Sequence, residues 1–163
     1  MVKRPEPVVS LHEGSRLRNV YGLQRGSGAM RLLLIADEDV QARDNMTQLF
    51  GDTEYQVVAA NSVDVVMRDV LKKEAQVILL GNTFDNIPAG DLIPILKKCN
   101  RNLTIILVSN EESLPLLRKL RREGIFYHAL KPSALEDREE LLQAVRCAFE
   151  NVTGQSPTSG AAK

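Results

Sequence analysis

From Arg31 onward the chain alternates short, almost unbroken apolar runs with stretches whose apolar residues recur every three or four positions. Leu32-Leu33-Leu34-Ile35-Ala36 is the first run and Val57-Val58-Ala59-Ala60 the second. Val77-Ile78-Leu79-Leu80, Leu103 to Val108 and Ile125 to Leu130 complete the series. A strand with one wet face alternates apolar and polar residues, so runs without alternation suit strands covered on both faces of a parallel sheet. Between the runs, Val63, Val66, Met67, Val70 and Leu71 make one helical stripe. Leu92, Ile95, Leu96 and Cys99 make another, and Leu141, Val145 and Ala148 a third. Asn61 and Asn110 stand where helix caps are needed. Ser133 followed by Glu136 reads as a capping box opening the last helix.

Strand–helix repeats of this length predict right-handed crossovers and a sheet with helices on both faces. The expected fold is therefore α/β, a doubly wound, flavodoxin-like, five-stranded parallel sheet over residues 30–150. Residues 151–163 are small and polar and read as a flexible tail. Residues 1–29 read as an extension holding a hairpin, Val8 to Leu11 and Leu17 to Leu23 around a His12-Glu13-Gly14-Ser15 turn, and then a linker. With 21 basic and 21 acidic residues the net charge is zero, which gives no reason to expect a nucleic-acid or membrane-surface binder. No apolar run is long enough to span a bilayer, and no hydrophobic stretch follows Lys3 and Arg4 as a secretory signal requires. Cys99 and Cys147 have no metal-ligand spacing and read as two reduced, half-buried thiols of a cytoplasmic protein.

The functional crevice of an open α/β sheet lies beyond the carboxyl ends of its strands. Asp37, Glu38 and Asp39 follow the first run, and Gly81, Asn82 and Thr83 the third. Ser109 and Asn110 follow the fourth, and Lys131-Pro132 the fifth. This set resembles the receiver domains of response regulators over nearly the whole of residues 30–150. The resemblance implies that Asp37 and Glu38 match an acidic pair that holds magnesium, with Arg43 where the family often has an arginine. It implies that Ser109 matches the hydroxyl and Lys131 the lysine that grip a phosphoryl group, with His128 at an aromatic switch position. One position departs from the family pattern. Where the phosphoacceptor aspartate belongs, counting from the third strand gives Gly81, and counting back from Gly90 gives Asn82. A glycine has no nucleophile, and an amide oxygen lacks the charge of a carboxylate. Asp85 lies further along, about 10 Å away at extended-chain spacing. Residues 7–23 also resemble the opening hairpin of a PRC-barrel domain, without the rest of such a barrel.

The expectation is a pseudo-receiver, not an enzyme, that acts by protein–protein contact in bacterial signalling without aspartyl phosphorylation. No cofactor is expected. Two carboxylates without a third make a weak, vestigial magnesium site, because magnesium demands an octahedral oxygen set. Lys131 is expected as a buried counter-ion to the acidic pair. Taken alone, Asp37, Glu38 and Asp39 also fit plain acidic caps on a helix start. The resemblance implies docking or dimerisation through the fourth helix, fifth strand and fifth helix. Arg118, Lys119, Arg121 and Arg122 lie there beside Glu136, Asp137, Glu139 and Glu140. The alternatives are a small anion or nucleotide held in the same crevice, and a conventional regulator using Asp85 or Asp37 as its acceptor.

Overall fold

The computed structural model describes residues 31–154. Five strands, β1 (Leu32–Ala36), β2 (Gln56–Ala60), β3 (Val77–Leu80), β6 (Thr104–Val108) and β7 (Ile125–Ala129), form one sheet in the order β2-β1-β3-β6-β7. Every pairing in it is parallel. Strand residues divide by parity. Leu32, Leu34, Ala36, Ile78, Leu80, Ile105 and Leu107 enter one core with α2 (Val63–Leu71), α3 (Ala89–Cys99) and α4 (Leu114–Glu123). Leu33, Ile35, Val77, Leu79, Ile106 and Val108 enter the other with α1 (Val40–Leu49) and α5 (Leu135–Gly154). Both faces are thus buried, which is why the runs carry no polar alternation.

The helix stripes hold at their centres and fail at their ends. Val66, Val70, Leu92 and Leu96 are buried, whereas Leu71 and Ile95 face solvent. Cys99 is half-buried as expected, but Cys147 is exposed on the outer face of α5. The expected caps change hands. Ser62, not Asn61, is the N-cap of α2, and its side chain makes no capping bond. Ser113, not Asn110, caps α4 by accepting the Leu116 N–H. At α5 the reaching acid is Asp137 rather than Glu136, its Oδ2 accepting from Ser133 N, Ser133 Oγ and Ala134 N. Helix α5 runs to Gly154, so the first residues assigned to the tail are helical. The hairpin at residues 7–23 and the rest of the tail lie outside the described residues.

One element has no counterpart in the sequence reading. After β3 the chain makes a two-stranded antiparallel hairpin, β4 (Thr83–Phe84) and β5 (Ile87–Pro88), before entering α3. Asp85 and Asn86 join its strands with φ of 55° and 65°. Two positive φ values make this a type I′ turn, whose twist matches that of the paired strands.

Candidate functional site

Crossovers leave β1 toward β2 on one side, while β3 lies on the other. The loops diverge there, and a crevice opens at the carboxyl ends of the strands. Leu80 pairs with Ala36, and the Gly81 N–H donates to the Ala36 carbonyl, so Gly81 stands directly across from Asp37. A Cβ on Gly81 would lie 2.5 Å from Asp37 Cγ. The Asp37 carboxyl therefore fills the volume in which any side chain at the end of β3 would begin. Asn82 is exposed, and its backbone carbonyl accepts the Ala89 N–H at the start of α3.

Asp37 is only 3% exposed. Its Oδ1 accepts the Asp39 N–H at 2.9 Å, while its Oδ2 is buried with no hydrogen bond and has Lys131 Nζ at 4.0 Å. Burial pushes the Asp37 carboxyl above the ordinary aspartate range, opposed by the Asp39 N–H and then by the Lys131 charge. Arg43 donates to the backbone carbonyl of Asp37 rather than to its carboxylate. Asp39 is the N-cap of α1, accepting from the backbone of Ala42 and Gln41. Those bonds, with the Ala42 N–H foremost, and Lys131 hold its carboxyl below the usual range.

Glu38 turns away from both. Its Oε1 accepts the Asn86 N–H at 3.1 Å, and its own N–H donates to the Thr83 carbonyl. The expected pairing of Lys131 with Asp37 and Glu38 is therefore corrected. Lys131 is half-buried rather than buried and reaches Asp39 Oδ2 at 3.4 Å as well as Asp37. Successive side chains leaving a strand point different ways, so adjacent carboxylates do not converge by adjacency alone. Asp85 is also committed elsewhere, its Oδ2 accepting the Val63 N–H at 2.8 Å and so satisfying the start of α2. Among the described residues, no group of three His, Cys, Asp or Glu side chains is placed to hold a metal ion.

The far wall is polar. Ser109 is fully buried at the end of β6. His128 Nε2 lies 3.2 Å from its Oγ and 3.1 Å from its carbonyl oxygen. A carbonyl can only accept, so this geometry requires the hydrogen on Nε2. Ser109 Oγ also accepts the Glu111 N–H, and Asn110 Oδ1 accepts the Lys131 N–H. Ser109, His128 and Lys131 thus share one wall, tied by Asn110, whose part the sequence reading missed. The Asp85-Asn86 pair was a readable signal, because both residues tolerate positive φ and stand between short β-forming segments.

Sheet order and crevice define a doubly wound α/β module whose polar groups gather at the strands' carboxyl ends. The chain belongs to the response regulator receiver domain family, whose pattern matches residues 33–146. It is 27% identical over 121 residues to the DNA-binding transcriptional regulator NtrC of Azospirillum brasilense, a match covering 74% of this chain and 24% of that protein. The chain thus spans about a quarter of that relative's length. Its fold is similar to a CheY-like receiver domain protein from Methanospirillum hungatei JF-1, with TM-score 0.69 and 16% identity, over 78% of this chain and 99% of that one. It is also similar to the beryllofluoride-activated NtrC4 receiver domain dimer, with TM-score 0.66 and 17% identity, over 76% of this chain and 99% of that one. The five-stranded doubly wound fold is as expected. No described helix is long and apolar enough to cross a membrane.

Proposed function

We propose that this chain is a pseudo-receiver, a receiver module that passes signals by protein contact without forming an aspartyl phosphate. One observation carries the reading. Gly81 follows β3 opposite Asp37, and the Asp37 carboxyl occupies its side-chain space. A phosphoacceptor needs an anionic oxygen at that point, and Gly81 supplies none. Asn82, the other candidate for the position, is exposed and has only an amide to offer.

Magnesium, which the family implies, does not fit this donor set. Asp37 Oδ2 is a single buried oxygen facing an ammonium, while Glu38 is spent on the Asn86 N–H. An octahedral ion needs more oxygens than this corner offers, and Lys131 already supplies positive charge. The module therefore requires no cofactor. As an anion or nucleotide site the crevice is also unfavourable, because Asp37, Glu38 and Asp39 outnumber Lys131. A thermal-shift screen with nucleotides tests this, and a flat response is the expected outcome.

Receiver domains are generally signalling modules rather than enzymes, and the proposed working surface is the face made by α4, β7 and α5. Phe126 and Tyr127 on the edge strand are each 38% exposed, and Leu130 is 44% exposed. Tyr127 Oη donates to Glu140 at 2.6 Å, joining β7 to α5. Exposed apolar rings with the Arg121 charge near Tyr127 suit a protein partner or a second copy of the chain.

The test is incubation with acetyl phosphate and magnesium, followed by intact mass. The expected result is no mass gain. A gain of one phosphoryl group that disappears on replacing Asp37 or Asp85 alone overturns the proposal.

A further inference from the structure

At the opposite end of the sheet from Asp37, between the carboxyl ends of α2 and α3, lies a cavity of about 360 Å³. Lys73, Lys98, Cys99, Asn100, Arg101 and Asn102 line it. The geometry points to this cavity as a binding site for a small multivalent oxyanion of the phosphate class.

Three cationic side chains line the cavity, and no carboxylate does. None of the three takes part in an ion pair among the described residues. Cations at helix carboxyl ends usually answer the unpaired carbonyls and the negative dipole there. In the loop beyond α3 the backbone carbonyls are met by Lys97. Lys97 Nζ donates to the carbonyls of Arg101 and Leu103 at 3.0 and 2.9 Å. Neither Lys98 nor Arg101 is the donor to those loop carbonyls.

Lys73 adds a separate argument. It follows α2 with φ of 61°, a left-handed position where glycine is the unstrained choice. The next two N–H groups, of Glu74 and Ala75, return to the Asp69 carbonyl, so the turn itself is an ordinary helix ending. Nothing in that turn needs a lysine. A strained cation kept in the lining of a cationic cavity is accounted for if its charge is used there. Asn100 and Asn102 supply neutral polar groups, and the Asn102 N–H closes a local turn on Asn100 Oδ1 that fixes this wall. The volume exceeds one phosphate and lies in the range of small-molecule sites. Multivalency is expected because three cationic residues line one cavity.

The experiment is a titration of the full chain with inorganic pyrophosphate, followed by amide NMR, with sodium chloride at matched ionic strength as the control. Saturable shifts are expected at Lys73 and at Asn100 to Asn102, weakening as salt rises. Lys98→Gln with Arg101→Gln weakens binding by roughly tenfold or more. Lys73→Gly also weakens it while leaving the fold at least as stable, which separates lost binding from lost structure. Shifts that match the sodium chloride control overturn the site. So does a pyrophosphate response unchanged in the double variant, or saturable binding of a glutamate-rich peptide where pyrophosphate gives none.

Discussion

The carboxyl group of Asp37 lies where the side chain of residue 81 would begin, with both carboxylate oxygens within 2.7 Å of a Cβ built on Gly81. Contacts this short require displacement, and Asp37 is poorly free to move, since its Oδ1 is bonded to the Asp39 N–H and its residue is buried. Gly81→Ala is therefore expected to destabilise the fold by about 1–3 kcal/mol, the usual cost of overpacking. In an Asp37→Ala background the same change is expected to cost much less. Urea denaturation of the four proteins in this cycle measures the coupling. Additive effects would mean that Asp37 does not hold that space.

The buried Asp37 carboxyl also sets a pH dependence. Its folded pKa is raised above the unfolded value near 3.8, chiefly by burial. The folded state thus holds this proton to higher pH than the unfolded state, and stability from this group falls as pH climbs from 3.8 through the folded pKa. Asp37→Asn removes that loss. The variant is expected to gain on the native protein across this window, with the gain levelling off above it. Paired thermal melts at each pH check the sign, because other titrating groups cancel between the two proteins.

Asp85 caps α2 from a neighbouring loop, through a bond of 2.8 Å to the Val63 N–H. Asp85→Ala is expected to cost about 1–2 kcal/mol, combining a lost cap with an alanine forced to positive φ. Asp85→Asn keeps an acceptor and tolerates that φ, so most of the stability should return. Equal losses in the two variants, read by denaturant unfolding, would refute the capping role.

Lys73→Gly is expected to stabilise the protein by about 1 kcal/mol, since glycine occupies φ of 61° without the penalty paid by other L-residues. Calorimetry reads this directly as a rise in melting temperature. A fall would mean that the lysine stem contributes packing that outweighs the backbone gain.

The sheet was legible in the sequence because burial on both faces leaves little else to read. All five runs became strands, and Leu32 to Ala36 and Val77 to Leu80 did so to the residue. Helix ends were less legible. Ser113 and Asn110 are both good cap residues by type, and only the path of the chain into α4 selects Ser113. Glu136 and Asp137 are adjacent acids, and one residue of helix rotation decides that Asp137 reaches back. In the crevice, sequence order placed Asp37, Gly81, Ser109 and Lys131 on the correct strand ends. It did not separate Glu38 from Asp39 as the partner of Lys131, because neighbouring carboxylates differ only in direction once the strand has ended. The strands of the hairpin at Thr83 to Pro88 are two residues each, too short for any period to register, so only its Asp85-Asn86 turn was there to be read.

That hairpin is fastened twice at its tip, Asp85 to the start of α2 and the Asn86 amide to Glu38. Since both fastenings sit on one rigid turn, lifting the arch breaks them in a single event. In deuterated solvent the amides of Val63 and Asn86, though distant in the chain, are expected to keep the same clock.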